Sequence, residues 1–303
     1  FRGGVLALFL AAVASVPAMA QEADRLQVGI TLHPYYSFVA NVVGDAADVV
    51  PLIEAGANPH GYQPQGGDIV RAQSLDALVV NGVGHDEWAF EIIEAAGRAN
   101  DLPLIYANET VAMIPISGDP SGQNIVNPHT FISTTAAVQQ VFEIARRLGE
   151  LDPENASYYR ANAQSYGAEI RRLRAGFMDS FAALDTSNFH AATVHAGYDY
   201  LFQEFGLDIE AVIEPRHGVN PTAAQLAATV EAIRAAGVNV LFTEEYFEGE
   251  LAETIQAETG VSVYSISHIN GGPYTPEKFI EEMQRNIETV LRAVRETAEG
   301  TAQ

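Results

Sequence analysis

The tripeptide Asn-Pro-His occurs twice, as Asn58-Pro59-His60 and Asn127-Pro128-His129. A chain with 14 prolines and 8 histidines in 303 residues is expected to hold far fewer than one copy by chance. Proline fixes its own φ and drives the residue before it into an extended conformation. Each imidazole therefore leaves a stiffened stretch of backbone and loses little freedom on taking a metal ion. A third histidine, His195, ends an apolar run, and His268 follows another. Three imidazoles with one further nitrogen or oxygen ligand suit tetrahedral Zn(II), whereas Mn(II) prefers more carboxylate. For one Asn-Pro-His alone, the plainer reading is a turn carrying an exposed histidine. The pair together with His195 favours a metal site.

These histidines stand roughly 70 residues apart, far beyond the spacing of any local metal motif. Only a fold that brings distant segments face to face can gather them. Short β-branched runs alternate with helical patterns, which argues for α/β units with parallel sheets. The strand candidates are 26–32, 48–53, 77–81 and 103–106, then 191–195, 209–213, 238–243 and 261–266. Helical patterns include 87–97, 222–236, 248–259 and a final helix over 276–297. Residues 153–184 read as one long helix, with Asp152 as N-cap, Pro153 at the first helical position, and Tyr158, Ala161, Ile170, Leu173, Phe177 and Phe181 at helical spacing. Some 30 helical residues span about 45 Å.

The fold class is therefore α/β, with two lobes joined by one long helix. Each lobe carries a four-stranded, mostly parallel sheet flanked by helices. The expected division is a signal peptide over 1–20, an N-terminal lobe over 21–150, the linking helix over 151–186 and a C-terminal lobe over 187–303.

In open parallel sheets, ligands bind beyond the carboxyl ends of the strands. His60, His129 and His195 all fall at that edge. So do Glu244 and Glu245 after the seventh strand and His268 after the eighth. His33 and His85 sit on the same edge, where hydrogen bonding to backbone or support of the site is their expected role. His190 begins a strand, at the opposite end, and reads as structural. His217 reads as a loop residue. Trp88, Tyr62 and Phe131 read as packing around the site.

Composition narrows the classes. Arg2, the apolar stretch 5–16 and Ala18-Met19-Ala20 have the layout of a secretory signal cleaved after Ala20. No later apolar run reaches about 18 residues, so the mature chain is expected to be soluble. With 0 cysteines, disulfides and thiolate ligands are excluded, and a transition-metal site must use His, Asp, Glu or water. A net charge of −23, with Lys278 the sole lysine, repels nucleic acid and anionic lipid and mildly attracts cations.

The motifs carry a family resemblance over essentially the whole mature chain. Asn58-Pro59-His60-Gly61-Tyr62-Gln63-Pro64 resembles the Asp-Pro-His-x-Tyr-x-Pro motif of the solute receptors of zinc and manganese ABC importers, the ZnuA-like group. Asn81-Gly82-Val83-Gly84 with Asp86 and Trp88 is similar to that group's Asn-Gly-x-Gly-x-Glu-x-Trp. Asn127-Pro128-His129-Thr130-Phe131 resembles its second histidine motif, and His195-Ala196-Gly197-Tyr198 with Phe205-Gly206-Leu207 its third. Phe242-Thr243-Glu244 and Glu214-Pro215 also fit.

The resemblance implies a two-lobed fold with a long connecting helix and little hinge closure. It implies a periplasmic location, delivery of metal to an ABC permease with its ATPase in the inner membrane, a monomer, and a metallochaperone as a candidate loading partner. It also favours zinc, because the third position is histidine in zinc receptors and glutamate in many manganese receptors. This chain departs from the family at two places. Asn58 stands where Asp or Glu is common, and the stretch Ser265-Ile266-Ser267-His268-Ile269-Asn270 lacks the usual acidic ligand. His268 is the expected replacement as fourth ligand, with Glu244, Glu245 or water as rivals. The His-rich loop of some zinc receptors has no counterpart in 114–126.

The leading expectation is thus a periplasmic Zn(II)-binding receptor that is not an enzyme. The alternatives are a manganese receptor of the same family, a zinc-dependent hydrolase using Glu244 or Glu245 as base, and an adhesin-like role. No His-Glu-x-x-His pattern or nucleophile elbow supports the hydrolase.

Overall fold

The structure, a computed structural model, describes residues 25–116, 125–213, 222–244 and 249–300. The expected signal segment 1–20, the loop 117–123, Glu214, Pro215, His217 and Glu245 lie outside the described residues.

Two four-stranded parallel sheets organise the chain. The first contains β1 (Leu26–Ile30), β2 (Ala47–Pro51), β3 (Ala77–Val80) and β4 (Leu104–Tyr106), in the order β2-β1-β3-β4. The second contains β5 (Ala191–Thr193), β6 (Ile209–Val212), β7 (Val240–Glu244) and β8 (Ser262–Ile266), in the order β6-β5-β7-β8. In both sheets the chain leaves its first strand on one side and returns on the other. That reversal opens a crevice at the carboxyl ends of the strands. The central strands β3 and β7 are buried throughout, as parallel strands covered on both faces must be.

The helices of the first lobe are α1 (His33–Val43), α2 (Gly66–Gln73), α3 (Glu87–Ala95) and α4 (Thr134–Leu151). Then come the long α5 (Ala156–Ala182), α6 (Asp199–Glu204), α7 (Ala223–Ala236), α8 (Gly249–Thr259) and the closing α9 (Lys278–Gly300). One continuous apolar core runs from Val28, Ile30 and Phe38 in the first lobe to Phe202 and Phe242 in the second. A smaller cluster, including Val194, Ile233, Leu241 and Ile255, fills the space between the second sheet and α7 and α8. Among the described residues, no helix is long and apolar enough to cross a membrane.

The long helix begins later than the sequence suggests. The backbone N–H of Asp152 closes α4 on the Leu148 carbonyl, so residues 153–155 are used in the turn and Asn155 stands at the N-cap of α5. The Asp152 carboxylate accepts from Asn155 Nδ2 at 2.8 Å and from the Tyr159 hydroxyl at 2.6 Å. The buried stripe of α5 is Tyr159, Ala163, Tyr166 and Ile170, whereas Tyr158 is exposed. The helix is turned this way because it packs on α4, α1 and α9 together.

The lobes are tied at both ends of the interface. Glu204, at the end of α6, sits on the N-terminus of α4. It accepts from the Ser133 and Thr134 hydroxyls, both at 2.6 Å, and from the backbone N–H groups of Thr135 at 2.6 Å and Thr134 at 3.2 Å. At the other end, Ser37 donates to the Thr275 carbonyl at 2.9 Å and Asn41 to the Pro276 carbonyl at 2.8 Å. These bonds seat the start of α9 on α1.

Candidate metal centre

The two Asn-Pro-His copies fold alike. In each, the asparagine Oδ1 accepts from the backbone N–H of the histidine two residues on, at 3.0 Å. This is the Asx turn that an extended Asn-Pro start favours. His60 lies in a short 3-10 turn after β2, and His129 in the loop after β4. The second asparagine does more. Its Oδ1 stands 2.7 Å from His129 Nδ1, while its Nδ2 donates to the Ala196 carbonyl at 2.9 Å and to the Asp199 carboxylate at 2.5 Å. Because Asn127 Oδ1 can only accept, Nδ1 of His129 carries the proton and Nε2 offers its lone pair to the cavity.

His195 lies two residues beyond β5 and does not form its last rung. Its Nε2 is 2.7 Å from His129 Nε2, a separation that requires a proton on one of them. With the His129 tautomer set by Asn127, that proton is on His195 and points at His129. A cation entering the cluster takes its place. His268 follows β8 and is buried. Ile269 beside it has φ 59, one of only two left-handed non-glycine residues among those described; the other is His85, at φ 82. Such conformations persist where the surroundings impose them, commonly at functional sites.

One potential ligand atom from each of His60, His129, His195 and His268 lies within 4.8 Å of the other three. The four come from loops after β2, β4, β5 and β8, so both lobes contribute. Glu244 is buried at the end of β7, but its carboxylate accepts from the Tyr198 hydroxyl at 3.0 Å and stands outside this set. Gly197 provides the close approach: a Cβ there would fall 2.8 Å from His195 Cδ2 and 3.3 Å from His129 Cδ2.

Burial, reinforced by mutual repulsion with His85, His195, His268 and His60, holds the His129 pKa well below its ordinary value. The ring is therefore neutral and available for ligation at physiological pH. His33 is lowered to about 4 by burial. Its Nε2 bonds the Gly272 carbonyl at 3.1 Å and its ring stacks on Tyr274, so it stands to the side as a backbone partner. His190 pairs with Glu210 at 2.6 Å on the far end of the second sheet. Phe131 packs 5.9 Å from His129 and 5.6 Å from His268, between centroids, and Trp88 is buried beneath the site.

His85, expected in a supporting role, is not one of the four converging donors, yet its ring packs directly against two of them. It is 4.0 Å from His60 and 4.1 Å from His129, centroid to centroid. The available signal was its place in the glycine-rich loop after β3. Nothing in that pattern reveals a left-handed backbone at a histidine.

Two parallel-sheet lobes, a long linking helix and a buried histidine cluster between strand ends define a metal-binding solute receptor. The chain belongs to the family described as zinc-uptake complex component A, periplasmic, whose profile matches residues 28–293. Structures of the SBP FpvC from Pseudomonas aeruginosa in complex with Ni2+ and with Mn2+ are similar, at TM-score 0.84 and 47% identity. They cover 90% of this chain and 98% or 99% of theirs. The iron-binding protein YfeA of Yersinia pestis is 26% identical over 277 residues, covering 89% of this chain and 86% of its own. The high-affinity zinc uptake system protein ZnuA of Bacillus subtilis is 24% identical over 279 residues, with 88% and 87% covered. Proteins of this family work as receptors of ABC importers with a permease and an ATPase.

Proposed function

We propose that this protein captures Zn(II) in the periplasm through His60, His129, His195 and His268 and delivers it to the permease of an ABC importer. In this reading, residues 1–20 are removed on secretion, the lobes 21–150 and 187–303 flank the linker 151–186, and the receptor acts as a monomer. The observation that carries the proposal is the donor set. Four imidazoles, three buried and that of His60 half-buried, share one cavity, and no carboxylate joins them among the described residues. Imidazole suits zinc, nickel, copper and iron, whereas manganese, magnesium and calcium favour oxygen. Tetrahedral Zn(II) with bonds of about 2.0–2.1 Å places its donors about 3.3 Å apart. The His129–His195 pair at 2.7 Å must open slightly and the wider pairs must close, movements within reach of side-chain rotation. A filled four-imidazole shell leaves no open position for hydrolysis, which favours carriage over catalysis.

A second reading, another divalent cargo, is favoured by the FpvC structures, which hold Ni2+ or Mn2+ at 47% identity to this chain. Competitive titration of the purified mature protein with Zn(II), Ni(II) and Mn(II) separates the two. Zinc is expected to displace manganese; tighter binding of manganese would overturn the zinc reading.

A further inference from the structure

The loop Asn81-Gly82-Val83-Gly84-His85-Asp86 is held from several sides. Asp86 accepts from the Asn81 N–H at 2.5 Å, the Gly82 N–H at 3.2 Å and the Thr31 hydroxyl at 2.8 Å. The Asn81 side chain donates to the Gly84 carbonyl at 2.7 Å and to the Pro128 carbonyl at 3.0 Å. That second bond ties the loop to the residue just before His129. The Trp88 indole N–H is shared between the Pro59 carbonyl at 3.1 Å and the His85 carbonyl at 3.0 Å. It ties the loop to the residue just before His60. The His85 loop is thus bonded to the backbone of both Asn-Pro-His turns.

Within this frame His85 has φ 82, between Gly84 at φ 106 and the start of α3. Glycine would hold this conformation at lower cost, and histidine, with asparagine and aspartate, is among the side chains that enter it most readily. The buried His85 ring sits edge-on to His60 and His129 at 4.0 and 4.1 Å, closer than the 4.5 Å between His129 and His195. It lies 6.1 Å from His268. A surface cavity of about 350 Å³, lined in part by His60, His85, Glu87, Trp88 and Glu91, adjoins the ring.

We propose that His85 is a fifth metal ligand, swinging onto an ion that prefers more than four donors. The proposal rests on the four-imidazole reading and extends it to a cargo class. Zn(II) is satisfied by four imidazoles, while Ni(II) and Co(II) gain a fifth nitrogen. The left-handed backbone aims the ring, and the bonds through Asn81 and Trp88 keep it beside both of its neighbours.

The test uses the mature protein, its His85→Asn variant and a His60→Ala control, each titrated separately with Zn(II), Ni(II) and Co(II). Asparagine tolerates the left-handed backbone. If circular dichroism shows that variant unfolded, His85→Gly replaces it. X-ray absorption of the Ni(II)-loaded parent is expected to count five imidazoles, and four in the variant. The visible bands of bound Co(II) are expected to strengthen in the variant as coordination falls to four. Nickel and cobalt affinity should fall about tenfold or more, with zinc affinity falling less. An unchanged Co(II) spectrum, with equal losses for all three metals or none, would assign His85 a packing role and overturn the proposal. Full metal binding by His60→Ala would bring down the four-imidazole reading itself, and this inference with it. A defective His60→Ala beside a parent-like His85→Asn would remove the fifth ligand alone.

Discussion

Gly197→Ala would disturb the geometry of the candidate ligands without changing their identity. The added methyl would lie 2.8 Å from His195 Cδ2, 3.3 Å from His195 Nε2 and 3.3 Å from His129 Cδ2. Carbon atoms pack at about 3.5–4.0 Å, so the His195 ring must retreat by about 0.7 Å or more. A site tolerates about 0.5 Å of misplacement before its function suffers. The backbone φ at Gly197 is outside the left-handed region, so alanine adds crowding and no backbone strain. Zinc affinity is expected to fall about 10- to 100-fold, equivalent to about 1.4–2.7 kcal/mol. The metal-free protein should lose about 1–3 kcal/mol from overpacking. Chelator competition reads the first effect and urea denaturation without metal reads the second. The control is Gly176→Ala on the exposed face of α5, where an added Cβ meets nothing within 4 Å. It should leave affinity alone and raise stability by about 0.5–1 kcal/mol. Parent-like zinc affinity in Gly197→Ala would mean that the imidazoles beside it do not hold the ion.

Alanine at His60, His129 or His195 should each weaken zinc binding strongly in the same competition assay. His268→Ala tests the fourth donor, and an unchanged affinity would remove it from the set. Glu204→Ala should cost about 2–3 kcal/mol in urea denaturation, because it strips a carboxylate from the N-terminus of α4 and breaks a tie between the lobes. Two buried imidazoles, His33 and His129, should each cost the metal-free protein stability as the pH falls below about 6.5. Burial lowers His33 to about 4 and His129 well below its ordinary value, so the unfolded chain takes up protons there that the folded chain refuses. For His33 the loss develops between pH 6.5 and about 4 and reaches about 3 kcal/mol. Burial raises Asp86 to about 6, which adds stability over part of the same window, so the check is the ring itself: an NMR titration of His33 with its midpoint near 6.5 would contradict the depressed value. Zinc affinity should fall over the same acid range, since only neutral imidazoles bind metal.

The two sheets were legible because their strands are short β-branched runs closed by Gly, Pro or Asn, and parallel burial leaves that imprint. The histidine edge followed from topology: once the strands were placed, His60, His129, His195 and His268 could only fall at one end. The start of α5 was less legible. Asp152 has the chemistry of a helix N-cap, yet the preceding helix claims its backbone first. On α5 the expected Ile170 and Phe181 are buried and Leu173 and Phe177 pack on the core, but at its start Tyr159 and Ala163 are buried in place of Tyr158 and Ala161. The choice between His268 and Glu244 stayed open in the sequence, since both follow strands. Three-dimensional packing turns Glu244 toward Tyr198. His85 was placed on the correct edge, but its contact with the other rings was not foreseen. A left-handed φ and an indole shared by two carbonyls leave no mark on local sequence.

The central claim is that one ion is held by imidazoles from both lobes. Zinc-edge X-ray absorption on the mature protein loaded with one Zn(II) per chain tests it most directly. The expected spectrum shows four nitrogen neighbours at about 2.0–2.1 Å with the multiple scattering of imidazole rings. A shell dominated by oxygen, or failure to retain a stoichiometric ion, would contradict it.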